Sequence, residues 1–255
     1  MNWRFDVAST IGGRPEQQDR AEVFALPLHN GDRLVVLADG MGGQRDGGLA
    51  AQAVIDTARA AVTDSPIDHP HQFLGELCRR ADRDIVAIGR QRETNPASTC
   101  VLLYLSDAEA YWAHVGDSRL YHFQADTLLS HTRDHTIGEL LKEAGQAPVA
   151  SRRVDHRLYM CLGGQNELNP EFGATAIGAD DWFVLCSDGF WGQLDIDEVV
   201  ARRHSARGDD DLATELVGLA RERGGAHSDN VSLVLATQPT SRLRQAWQRL
   251  RRVGG

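Results

Sequence analysis

Several scarcities narrow this chain before any motif is read. Its 255 residues include four cysteines, Cys78, Cys100, Cys161 and Cys186, widely spaced and without a C-x-x-C pair. A disulfide framework or a thiolate zinc site is therefore not expected, and the thiols read as reduced core residues. Lysine is nearly missing: Lys142 is the only one, and arginine supplies the rest of the 27 basic residues. Against 36 acidic residues this leaves a net charge of −9, which speaks against a general nucleic-acid binder. No stretch approaches the ~18 uninterrupted apolar residues of a membrane span. The opening Met1-Asn2-Trp3-Arg4-Phe5-Asp6 lacks the basic-then-apolar pattern of a secretory signal, so a cytoplasmic protein without a membrane span is expected.

What is present has globular proportions. Hydrophobic residues make up 42% and charged ones 25%, too apolar for a disordered chain and too evenly mixed for a fibrous one. Short apolar runs rich in branched and aromatic residues predict strands over Glu22–Leu28, Arg33–Ala38, Thr99–Leu105, Glu109–Val115, Arg119–Phe123, Asp181–Cys186 and Asn230–Thr237. Ser106-Asp107 and Gly116-Asp117 punctuate three of these runs in succession, which predicts an antiparallel meander. Helices are expected over Gly48–Val62, Phe73–Gln91, Ile137–Ala144, Asp195–His204 and Leu212–Arg223. Two helices in a row between blocks of strands imply α+β layering rather than βαβ alternation.

No repeat or linker divides the chain, so one domain over residues 1–240 is expected, with a loop-rich excursion near 134–172. Residues 241–255 form a basic tail with five arginines (Arg242, Arg244, Arg249, Arg251, Arg252) and no acid. Leu243, Trp247 and Leu250 give that tail an apolar stripe. It suits a terminal helix docked on its own acidic domain, or one that engages a partner or a membrane surface.

The informative feature is where the aspartates sit. Asp39 follows Leu34-Val35-Val36-Leu37-Ala38 and precedes Gly40, and Asp188 follows Trp182–Ser187 and precedes Gly189. Asp229 stands before Val231–Ala236, Asp117 lies in the turn Gly116-Asp117-Ser118-Arg119, and Asp19 stands just before the run from Ala21 to Leu28. A carboxylate leaving a buried strand into a glycine turn is costly unless its charge is compensated. Hard divalent cations compensate it through oxygen ligands. Any one Asp-Gly is as well explained as a turn, but five carboxylates at strand edges point to metal. If they converge, two Mg²⁺ or Mn²⁺ ions could share a water, lower its pKa and deliver hydroxide in line to a phosphorus.

The ordered set Arg14-Pro15-Glu16-Gln17-Gln18-Asp19, Ala38-Asp39-Gly40-Met41-Gly42-Gly43, Val115-Gly116-Asp117-Ser118-Arg119, Thr132-Arg133-Asp134-His135, Ser187-Asp188-Gly189 and Ser228-Asp229-Asn230 resembles the motif series of the metal-dependent serine/threonine protein phosphatases, the PPM or protein phosphatase 2C-like family. The series runs from about Phe5 to Ala236, and its order is far more specific than any member. The resemblance implies an α+β sandwich of two antiparallel sheets flanked by helix pairs, with a metal cluster at one end.

It further implies that Asp39 bridges two Mn²⁺ or Mg²⁺ ions, that the Gly40 carbonyl helps ligate one, and that Asp188 and Asp229 complete the set. Asp19 would hold metal-bound water, and Asp117 with Asp188 a third, weaker ion. Arg14 would grip the substrate phosphate with its planar fork. Hydroxide on the metals would then attack a phosphoserine or phosphothreonine ester of a protein directly. A monomer opposing a serine/threonine kinase is implied.

Three positions depart from the series. Gln17 stands where asparagine is usual, Met41 where eukaryotic members carry histidine, and Met160 where an arginine is expected. The Leu158–Gly164 stretch also resembles phosphatases associated with type VI secretion. A catalytically weak phosphoprotein-binding or sensor module on the same fold is the alternative, supported by Gln17 and Met160 alone. A two-metal nuclease is disfavoured by the negative charge.

Other signals are set aside. Gly42–Leu49 imitates a phosphate-binding P-loop but lacks its Lys and Ser/Thr. His131-x-x-x-His135 has zincin spacing without the glutamate.

Overall fold

A computed structural model of the chain describes residues 3–29, 31–41, 46–62, 67–146, 155–205 and 211–238. The basic tail and most of the glycine-rich stretch after Met41 lie outside the described residues. The chain opens with β1 (Arg4–Thr10), β2 (Asp19–Ala25) and β3 (Arg33–Met41), then helices α1 (Gly47–Ala61) and α2 (Pro70–Arg92). Five strands follow: β4 (Ala97–Ser98), β5 (Cys100–Leu105), β6 (Glu109–Val115), β7 (Arg119–Gln124) and β8 (Thr127–His131). After α3 (Ile137–Glu143) come β9 (Glu171–Ala176), β10 (Asp181–Cys186) and the single turn α4 (Asp188–Trp191). Helices α5 (Ile196–Ser205) and α6 (Leu212–Gly224) lead to β11 (Val231–Thr237).

The strands form two antiparallel sheets, ordered β1-β11-β10-β7-β8 and β2-β3-β5-β6-β9, with β4 paired to β3. The central strand β5 is apolar at every position, and β10 from Trp182 to Cys186, because both of their faces are covered. In β5, Val101, Leu103 and Leu105 point into the core between the sheets, while Cys100, Leu102 and Tyr104 point at the α1–α2 layer. Strand β10 divides likewise: Phe183 and Leu185 face the inner core, and Trp182, Val184 and Cys186 face α5 and α6. The result is a helix–sheet–sheet–helix stack, the α+β sandwich that the motif series implies.

Two expectations need correction. The meander breaks at Gly116-Asp117: β5 and β6 pair, but β7 pairs with β10 and β8 in the other sheet. Gly116 makes that crossing at φ +106, and a Cβ there would meet the Thr99 side chain at 2.6 Å, so only glycine fits. Strands β1, β8 and β9, absent from the sequence reading, all lie on sheet edges. An edge strand needs less apolar cover, and β8 is exposed along its length, so no apolar run announces it. The 134–172 excursion is loop-rich in its described parts but carries α3 and ends inside β9.

Candidate metal centre

A cleft of about 610 Å³ opens at the end of the sandwich and is lined by Arg14, Asp39, Gly40, Asp117, Asp188 and Asp229, with Met41, His156, Arg157 and Cys161 on its rim and walls. Four pieces of backbone deliver these groups. Asp39 and Gly40 lie near the C-terminal end of strand β3, and Asp117 is in the crossing from β6 to β7. Asp188 opens α4 directly after β10, and Asp229 precedes β11. Asp19 does not line the cleft. It sits behind Asp39, its register partner across β2 and β3. Cys161 lines the cleft, which corrects its assignment to the core; Cys78, Cys100 and Cys186 are buried thiols as expected.

The backbones meet closely to achieve this. A Cβ on Gly189 would lie 2.1 Å from the Asn230 carbonyl oxygen, so α4 starts directly against the approach to β11. Asn230 then fastens the loop that carries Arg14. Its Oδ1 accepts the Gln18 N–H at 2.7 Å, and its Nδ2 donates to the carbonyls of Ile11 and Glu16 at 2.9 and 3.0 Å. Arg14 donates from Nη2 to Asp229 Oδ2 at 2.6 Å. The Asp39 N–H donates to Thr99 Oγ1 at 2.9 Å, and the Gln17 side chain accepts the Asp19 N–H at 3.1 Å. Trp191 Nε1 donates to the Asp117 carbonyl at 2.8 Å, and the Arg119 guanidinium lies 3.6 Å over the Trp191 ring while forking onto Asp134.

Electrostatics make the cleft a place short of positive charge. Burial, then the neighbouring Asp19, Asp188 and Asp117, push Asp39 well above the usual carboxylate range. Asp188 is raised by burial and by Asp229, although a hydrogen bond from Asp39 opposes the shift. Asp117 rises to about 8 through burial and Asp188, and Asp19 to about 6 through burial against hydrogen bonds from Ser187 and Ser232. Asp19 Oδ2 accepts the Ser187 hydroxyl at 2.8 Å, whereas its buried Oδ1 has no partner of ordinary geometry among the described residues, the Ser232 hydroxyl being a poorly aligned neighbour.

A poorly partnered carboxylate oxygen behind a wall of mutually repelling aspartates fits hard cations with their water. No three of these carboxylates, among the described residues, bring one oxygen each within 4.8 Å of one another. They line a cleft rather than enclose one point, which leaves room for more than one ion.

Sequence reasoning overlooked several contributors. His156 and Arg157 reach the cleft from the excursion, where the expected basic residue at position 160 is missing. Met160 instead packs against the α1–α2 core and lines a separate cavity. The clamping roles of Asn230, Trp191 and the Arg119–Asp134 pair had no signal beyond membership of a motif.

The family model for protein phosphatase 2C matches residues 12–219. A Streptococcus pyogenes chain provisionally named protein phosphatase 2C-type is 32% identical over 214 residues, covering 80% of this chain and 85% of its own. The solved Streptococcus agalactiae serine/threonine phosphatase superposes with a TM-score of 0.83 at 25% identity, over 92% of this chain and 98% of its own. The catalytic domain of PstP, the Mycobacterium tuberculosis serine/threonine phosphatase, solved with two manganese ions, superposes with a TM-score of 0.77 at 26% identity, over 92% and 97%. The chain belongs to the protein phosphatase 2C family.

Proposed function

We propose that this chain is a metal-dependent phosphatase of phosphoserine and phosphothreonine in proteins, acting as a monomer in the cytoplasm against a serine/threonine kinase. Residues 1–240 form its single catalytic domain, with the 134–172 segment as a flap beside the cleft. One observation carries the reading: Asp39, Asp117, Asp188 and Asp229, far apart in sequence, line one cleft with Gly40 and Arg14. Asp39, Asp188, Asp229 and the Gly40 carbonyl would hold a pair of Mn²⁺ or Mg²⁺ ions, with Asp117 and Asp188 offering a third, weaker position. Bound there, the ions supply an ionised water as nucleophile and neutralise phosphoryl charge.

The chain's own groups do the rest. Arg14 binds the phosphate with a planar donor fork, and its pairing with Asp229 keeps that fork at the cleft mouth. Asp19, with one oxygen poorly partnered, holds and orients water at the back of the cleft. Met41 has no proton to give, so the leaving serine or threonine oxygen takes its proton from solvent in the cleft.

Purified protein is expected to hydrolyse p-nitrophenyl phosphate and a phosphothreonine peptide with Mn²⁺. Activity should vanish in EDTA and fall by about 10³-fold in Asp39→Asn. Turnover that survives both treatments would refute the mechanism. Phosphopeptide binding without turnover would favour the sensor module instead.

A further inference from the structure

One cluster of side chains has no part in the chemistry above. His114, near the end of β6, faces Glu171, the first residue of β9, across the antiparallel register. His135 reaches the pair from the segment after β8, its ring centroid 4.6 Å from that of His114. One donor atom from each residue lies within 4.8 Å of the other two.

His114 is fully buried and anomalous. Neither ring nitrogen has a hydrogen-bond partner of ordinary geometry among the described residues, and only poorly aligned backbone contacts with Ser118 and Gly116 oppose the fall in its pKa. Burial and the neighbouring His135 push its pKa down to about 3, so the ring is neutral and keeps a lone pair at neutral pH. A buried imidazole with only poorly aligned backbone contacts is costly, and a bound ion relieves it. A cavity of about 230 Å³, lined by Arg133, His135, Glu139, Tyr159 and Glu171 among others, gives an ion a way in.

We propose that His114, His135 and Glu171 form a second cation site, independent of the aspartate cleft, for a zinc-class ion. The donor set decides the class. Two imidazole nitrogens and one carboxylate suit Zn²⁺, with solvent from the cavity in the open position, whereas the all-oxygen cleft suits Mg²⁺ or Mn²⁺. Arg133 is the competing cation, its Nε 3.8 Å from Glu171 Oε1, but it also pairs with Glu143 and so has another anchor.

Uptake has a definite bond balance. His135 Nδ1 accepts the Gly116 N–H at 3.1 Å, so the neutral ring carries its proton on Nε2, 3.8 Å from Glu171 Oε2. Coordination at Nε2 forms a metal–nitrogen bond, moves that proton to Nδ1 and breaks the hydrogen bond from Gly116. The ion therefore reports on the Gly116-Asp117 crossing.

The test is a calorimetric zinc titration of the full chain in excess Mg²⁺, with amide hydrogen exchange read at Gly116. The wild type should take up one more equivalent of Zn²⁺ than either His114→Phe or Glu171→Gln. Exchange at Gly116 should quicken about tenfold as that equivalent binds, as for an amide that loses its acceptor. Glu171 is only partly buried on an edge strand, so Glu171→Gln keeps the test valid if His114→Phe fails to fold. Equal zinc stoichiometry in the wild type and Glu171→Gln would overturn the proposal. So would an extra equivalent that leaves Gly116 exchange unchanged. Neither result bears on Mn²⁺-dependent turnover, which tests the cleft separately.

Discussion

At the scale of single residues, the cleft depends on side chains that hold other side chains. Asn230 uses its amide on three partners, the N–H of Gln18 and the carbonyls of Ile11 and Glu16. Asn230→Asp keeps the shape but turns two donated bonds into contacts between oxygens, next to a site already rich in carboxylates. A loss of about 1–2 kcal/mol in urea unfolding is expected, because two partly buried carbonyls lose their donor. Arg14 poses a different question, of charge against geometry. Arg14→Lys keeps the charge but not the fork, so KM for a phosphothreonine peptide should rise about tenfold while kcat changes less. Steady-state kinetics at saturating Mn²⁺ decide this. The type of Arg14 and its place ahead of Asp19 were visible in the sequence. The clamp through Asn230 was not, since it joins residues more than 200 positions apart.

At the scale of elements, glycines separate positions that tolerate a methyl group from those that do not. Gly189 has the Asn230 carbonyl where a Cβ would sit, at 2.1 Å, so Gly189→Ala must push α4 away from β11. A loss of more than about 3 kcal/mol, with Mn²⁺ binding weakened alongside, is the expected outcome in chemical denaturation and calorimetry. Gly218 is the contrast: it lies inside α6 and a Cβ there meets nothing within 4 Å. Gly218→Ala should raise stability by about 0.5–1 kcal/mol through helix propensity alone, read as a higher urea midpoint. Central strands such as β5 and β10 were legible because covering both faces writes an unbroken apolar run. Edge strands such as β8 were not, because nothing covers them.

For the whole molecule, gathering like charges has a cost that depends on pH. Asp19 at about 6 and Asp117 at about 8 both lie above the 3.8 of an exposed aspartate. Near pH 2, well below 3.8, these groups are protonated in both states and cost nothing. As pH rises, the unfolded chain ionises first and stability falls, until above pH 8 the full cost is present. Asp19 alone accounts for about 3 kcal/mol of it. EDTA-treated protein should therefore melt at a lower temperature at pH 8 than at pH 6, and Mn²⁺ should raise the Tm more at pH 8. Differential scanning fluorimetry at the two pH values checks both statements. No helix among the described residues is long and apolar enough to cross a membrane.

The sequence by itself determined the layering, the central strands and the candidate aspartates, because each is written locally: an apolar run, its length, and the carboxylate and glycine that end it. Only the tertiary structure decided what those aspartates face. Whether Asp39 meets Asp188 across a cleft, whether Gly116 turns a hairpin or crosses between sheets, and whether His114 finds His135 and Glu171 all depend on which strands become neighbours. Neighbourhood is set by packing two covered sheets against each other, and that is a property of the whole chain rather than of any segment of it.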